Sequence, residues 1–81
     1  MKLTVRLFAA ARERAGAGSV DVELADGSTV DALLRAVCVV KPALASLTSQ
    51  LRVAVNQEFV TASDVVPAGA EVALIPPVAG G

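Results

Sequence analysis

Two runs of strict apolar and polar alternation near the start, a third at the end and one helical stripe between them leave few folds open to an 81-residue chain. Leu3, Val5 and Leu7 point one way while Lys2, Thr4, Arg6 and Phe8 point the other, as in a half-buried strand. Ala9 to Ala15 suits one or two helical turns, broken by Gly16-Ala17-Gly18. Val20, Val22 and Leu24 then alternate with Asp21 and Glu23, so a second strand can pair with the first. After an Asp26-Gly27 turn, Ser28 or Thr29 offers an N-cap hydroxyl and Asp31 sits where the helix dipole favours a carboxylate. Val30, Leu33, Leu34, Val37 and Cys38 form one apolar stripe, Lys41 lies near its end and Pro42 stops it. Residues 43–50 are irregular and predict a loop with a short helical turn.

Leu51, Val53 and Val55 alternate with Arg52 and Ala54, and Asn56-Gln57 turns the chain into a short strand, Glu58-Phe59-Val60. Val65 and Val66 lead into the turn Pro67-Ala68-Gly69. The last strand, Glu71 to Ile75, places Val72 and Leu74 on one face and Ala73 and Ile75 on the other. The order ββαβββ predicts one α+β domain over 1–75, a sheet wrapped over one main helix, followed by an extended tail over 76–81.

Composition removes most catalytic readings. The chain has no histidine and one cysteine, so most zinc sites, Ser-His-Asp triads and Cys-His pairs are out of reach. An intrachain disulfide is impossible, which favours a reducing compartment. Seven basic and eight acidic residues give a net charge of −1 and no electrostatic footprint for nucleic acid or an anionic membrane. The apolar start is interrupted by Arg6 and followed by Arg12-Glu13-Arg14, a poor export signal, and no stretch is long enough to span a bilayer. A cytoplasmic protein is expected, with neither nucleic acid nor membrane as partner.

The tail Pro76-Pro77-Val78-Ala79-Gly80-Gly81 is uncharged up to its expected terminal carboxylate. The prolines fix φ near the polyproline value, which lowers the entropy lost when such a segment threads a channel. Glycine at the end lets a partner's walls approach the carbonyl closely. Extended, the segment reaches roughly 18–20 Å. A carboxylate is a poor electrophile until activated, and ATP is the obvious source of activation. No GxxxxGK[ST] loop or comparable phosphate cradle is present, so the nucleotide site is expected on a separate enzyme, with no cofactor held by this chain.

Phe8-Ala9, Arg12-Glu13, Ala54-Val55-Asn56-Gln57 and above all Pro76-Pro77-Val78-Ala79-Gly80-Gly81 resemble, end to end, the small subunits of molybdopterin synthase. The resemblance implies a ubiquitin-like β-grasp, a mixed sheet of about five strands in which the first and last run parallel side by side. It further implies that Gly81, preceded by Gly80, is adenylated by an enzyme resembling the ubiquitin-activating enzymes and converted to a thiocarboxylate with sulfur from a donor protein. The large subunit of the synthase then takes the tail and sulfur passes to cyclic pyranopterin monophosphate, within a heterotetramer. Catalytic side chains belong to the large subunit, and this chain is a non-catalytic carrier. The competing readings are a carrier for thiamine synthesis or tRNA thiolation, a ubiquitin-like modifier joined to lysines, and an interaction module with an inert tail.

For the docking surface, Phe8 and Ile75 both fall on the non-core side of strands expected to be neighbours, near the root of the tail. Phe59 is open between core and interface by its pattern, and the resemblance tips it to the interface. Arg12 gains a rim role from the same resemblance, and Pro76, Pro77, Val78 and Ala79 complete the partner-binding set. Ile75 stands where the family often has an aromatic. Cys38, beside Leu34 and Val37, reads as a small hydrophobe in place of a relay thiol. Asp21, Glu23, Asp26 and Asp31 each have a structural explanation without catalysis.

Overall fold

The computed structural model describes residues 1–76. In chain order they form β1 (Lys2–Leu7), α1 (Ala9–Ala15), β2 (Ser19–Glu23), α2 (Val30–Val40), a 3-10 helix (Pro42–Gln50), β3 (Arg52–Val55), β4 (Glu58–Val60) and β5 (Val72–Ile75). The sheet order is β2-β1-β5-β3-β4. β1 and β5 run parallel at its centre, with Val5, Arg6 and Leu7 opposite Val72, Ala73 and Leu74. The other pairs are antiparallel, so the sheet is mixed and the fold is the α+β β-grasp that the alternation and the resemblance imply.

Burial along β1 is perfectly periodic, with Leu3, Val5 and Leu7 buried and Lys2, Thr4 and Arg6 exposed. The inner sheet face adds Val20, Val22, Val53, Val55, Val72 and Leu74, and meets Val30, Leu33 and Val37 of α2 and Leu44 of the 3-10 helix. Among the described residues no polar or charged residue is buried with these aliphatic side chains, so hydrophobic burial has no side-chain desolvation cost to offset there. α2 starts at Thr29, whose hydroxyl accepts from the Ala32 N–H at 3.3 Å, which settles the N-cap between Ser28 and Thr29. Gly16 ends α1 with φ 70 and donates to the Arg12 and Glu13 carbonyls, a conformation that any Cβ would strain.

Two local expectations change. Residues 43–50 lie within a continuous 3-10 helix and not in a loop with one helical turn, because buried Leu44 anchors the segment and Pro42 starts it. Cys38 is half-buried and lies at the flank of the α2 stripe, since Val30, Leu33 and Val37 alone face the sheet squarely. Among the described residues, no helix is long and apolar enough to cross a membrane.

Candidate functional site

The outer face of the sheet carries the candidate site. Helices cover only the inner face, so the outward positions of β1, β5, β3 and β4 stay open. By register, Arg6 lies opposite Ala73, Ala73 opposite Ala54, and Ala54 opposite Phe59, forming one row across four strands. One step toward the tail, Ile75 lies opposite Arg52, and the Phe8 N–H donates to the Leu74 carbonyl at 3.3 Å. Phe8 and Ile75 therefore sit at adjoining strand ends, where Pro76 leaves the sheet.

Exposure confirms the orientation. Phe8 is 40% and Phe59 55% exposed, large values for phenylalanine, and Ile75 is half-buried. The small side chains of Ala54 and Ala73 form a floor between them; Ala54 is only 9% exposed although it faces outward, beside the longer side chain of Phe59 opposite it. Two cations lie on the aromatics: the Arg6 guanidinium is 5.4 Å from the Phe8 ring centroid and the Arg52 guanidinium 4.0 Å from that of Phe59. Arg52 thus separates Phe59 from Ile75.

The chain conformation that presents Phe8 is strained. Phe8 itself is extended, continuing the alternation of β1, but Ala9 has φ 48, a left-handed angle that alanine rarely adopts. This one residue turns the chain from strand to helix while leaving the phenylalanine on the outer face. Ala9→Gly is expected to be neutral or to stabilise by up to about 1 kcal/mol, and Ala9→Val to destabilise by more than about 1 kcal/mol. Denaturant midpoints measure both, and a clear loss of stability in the glycine variant would refute the strain.

A second turn braces the tail-bearing strand. Asn56 and Gln57 adopt φ 51 and 71, the left-handed pair of a tight hairpin between β3 and β4. The Asn56 N–H donates to the Glu71 carbonyl at 2.8 Å, and its side-chain oxygen accepts from the Glu71 N–H at 3.0 Å. This pair of bonds fixes the chain just before β5.

Phe8, Phe59 and Ile75 are thus brought to one face. Arg12 is exposed on α1 beside them: its backbone N–H donates to the Phe8 carbonyl at 3.4 Å, and its guanidine group lies against the α1–β2 loop, with Nε 3.8 Å from where a Cβ on Gly18 would stand. Pro76 is half-buried at the end of β5. Pro77, Val78, Ala79, Gly80 and Gly81 lie outside the described residues. Pattern reasoning passed over Arg6, Arg52, Ala54 and Ala73 as site residues, although alternation alone placed Arg6 and Ala73 on the same side as Phe8 and Ile75.

Little else among the described residues offers chemistry. Cys38 borders a shallow groove with Asp31, Leu34, Arg35, Thr48 and Ser49. Burial pushes its thiol above the ordinary value, which disfavours the thiolate that a sulfur relay needs. Among the described residues, no group of three His, Cys, Asp or Glu side chains could hold a metal ion.

Comparison with known proteins places this geometry. Residues 5–81 match the sequence model of the ThiS family. The chain belongs to the ThiS family. Within it, the chain is 40% identical to a molybdopterin synthase sulfur carrier subunit of Chlamydomonas reinhardtii, covering all of both chains. It is 35% identical to the subunit of the same name in Arabidopsis thaliana, covering all of this chain and 84% of the relative. Among solved structures, SAMP1 of Haloferax volcanii superposes with a TM-score of 0.89 at 34% identity over the whole of both chains. Subunit 1 of the molybdopterin-converting factor of Helicobacter pylori, solved in complex with subunit 2, shares the fold with a TM-score of 0.70 at 22% identity, again over both full chains. The ThiS-family fold therefore accounts for every described strand, and the outer face and tail root remain the features from which a role is read.

Proposed function

We propose that this chain is the sulfur-carrier subunit of a molybdopterin synthase. The observation that carries the reading is the full-length, 40% identical relative of that name, reinforced by the exit of β5 beside Phe8 and Ile75. A large subunit that docks on the outer face meets the root of the tail directly, and the reach of residues 76–81 takes Gly81 into that subunit's own active site. Proline and glycine keep the threading cost low. The cellular setting proposed is the cytoplasm, and the assembly a heterotetramer with a dimer of large subunits.

In this reading the Gly81 carboxylate attacks the α-phosphorus of ATP in a separate activating enzyme, releasing pyrophosphate. Sulfide displaces AMP from the acyl carbon and leaves a thiocarboxylate directly; a persulfide donor instead forms an acyl disulfide, which a second thiol cleaves to the thiocarboxylate while itself forming a disulfide with the donor's sulfur. The sulfur then passes to cyclic pyranopterin monophosphate, and water returns the glycine to the carboxylate. The chain supplies an acyl group and a docking face, and no acid or base. Its test is the intact mass after incubation with ATP, an activating enzyme and a sulfur source: a gain equal to one oxygen-to-sulfur exchange, localised to Gly81, is expected. An unchanged mass under conditions that load a known carrier would overturn the reading.

The docking face has its own test. Phe8→Asp and Ile75→Asp each place a carboxylate in the apolar patch and are expected to weaken binding to the large subunit by about a hundredfold, with the thermal midpoint nearly unchanged. Unaltered affinity in both variants would remove the patch from the interface.

The close superposition on SAMP1 favours a second reading, a ubiquitin-like modifier joined through Gly81 to lysines. Both roles use the same activation. Abundant isopeptide adducts in cell extract, with no complex to a pyranopterin-converting subunit, would reverse the order.

A further inference from the structure

The outer face is not simply apolar, and its two cations constrain what can cover it. Between β1 and β4 the outward residues nearest the tail are Arg6, Phe8, Ala73, Ile75, Arg52, Ala54 and Phe59, with no carboxylate among them. Among the described residues, no acidic group lies within 4.0 Å of either guanidinium. The acids that share this face are Asp21, which accepts a 2.8 Å hydrogen bond from Thr4, Glu23 opposite Lys2, and Glu71 at the opposite end of β5. Arg6 and Arg52 are held over their aromatic rings. A protein that buries Phe8 and Phe59 must therefore bury these two guanidiniums with them or push them off the rings. In the first case the charges lose water and in the second they lose ring contact, and a carboxylate on the partner compensates either loss.

Resting on the reading that a large subunit docks here, we infer that its docking face is apolar at the centre and carries two acidic side chains, one for Arg6 and one for Arg52. Strand spacing and register separate the two arginine backbones by roughly 10–12 Å, across β5 and one step along it, and this spacing sets that of the acids. A planar guanidinium already ordered on a ring binds a carboxylate through two parallel hydrogen bonds with little further loss of freedom. The arginines thus select for a matching partner, and an equally apolar surface lacking those acids is rejected because it strands two buried charges.

The experiment measures the affinity of the full chain for the purified large subunit from the same organism at about 50 and 300 mM salt, since the attraction between the two faces before they meet is screened over this range. The wild-type chain is expected to bind severalfold more weakly at high salt. The Arg6→Gln/Arg52→Gln double variant is expected to bind at least about tenfold more weakly at low salt and to lose most of the salt dependence. Arg6→Lys/Arg52→Lys is expected to keep part of the affinity and most of the salt dependence, and thermal melts check that all three chains are folded. A double glutamine variant with wild-type affinity and wild-type salt dependence overturns the inference alone. Failure of the wild-type chain to bind the large subunit at all overturns the functional reading as well, so the two failures are told apart. A misfolded glutamine variant leaves the lysine pair to decide: binding that is insensitive to salt in both the wild-type and lysine chains also overturns the inference.

Discussion

Deleting Gly81 is expected to abolish sulfur loading, and with it restoration of molybdenum cofactor synthesis in cells lacking the native carrier, while leaving folding stability within about 0.5 kcal/mol of the parent. The effect is all-or-none on function because the reacting carbonyl moves back by one residue, roughly 3.3–3.6 Å, out of line with both the nucleotide and the attacking sulfur in any site shaped for the longer tail. Stability is spared because glycine contributes no side chain to bury. The measurement pairs intact mass after the loading reaction with a thermal melt. A shortened chain that still acquires sulfur, or still complements, would sink the carrier reading. Loss of loading together with a large fall in melting temperature would instead show that the last residue supports the fold.

Leu74→Ala is expected to show the opposite pairing. Leu74 is fully buried on β5, between Leu7 of β1 and Val53 of β3, at the centre of the sheet. Truncation removes buried carbon and leaves a cavity that two flanking strands cannot both close. The cost expected is about 2–5 kcal/mol, a large part of what a domain of this size has, and a fall in melting temperature of about 10–25 °C. Equilibrium unfolding reads it directly, and a loss below about 1 kcal/mol would mean that the core tolerates a gap at its midpoint. Leu74 and Ile75 are neighbours in sequence and point to opposite faces, so one substitution strikes the fold and the other the docking surface. Strand geometry makes that separation possible.

The face assignments show how much of the site was legible beforehand. Alternation placed Phe8 and Ile75 outward, and both are at the tail root, because a period of two survives any packing that keeps one face buried. Phe59 was ambiguous in a strand of three residues; its direction follows from its register with Ala54 across the Asn56-Gln57 turn, which the short strand's own pattern does not fix. Arg12 matches the resemblance; its backbone N–H donates to the Phe8 carbonyl at 3.4 Å and its exposed side chain lies along the α1–β2 loop, a position that its helical pattern did not specify. Arg6 and Arg52 read as ordinary solvent-facing charges, yet Arg6 lies over the ring of Phe8, two residues on along the same extended stretch, and the β3–β4 pairing sets Arg52 upon Phe59.

By itself the sequence determined the two-faced strands, the capped amphipathic helix and the absence of the side chains that most catalysis needs, because each depends on spacing or composition within a few residues. Tertiary structure alone decided which outward residues meet. Parallel pairing of β1 with β5 joins residues nearly seventy positions apart, bringing Phe8 to the strand end from which Pro76 departs. The antiparallel β3 and β4 then add Arg52 and Phe59 to the same surface. Such contacts form only when the core behind them closes, since the cost of bringing distant strands together is met by burying Leu7, Val72 and Leu74 and not by anything on the outer face.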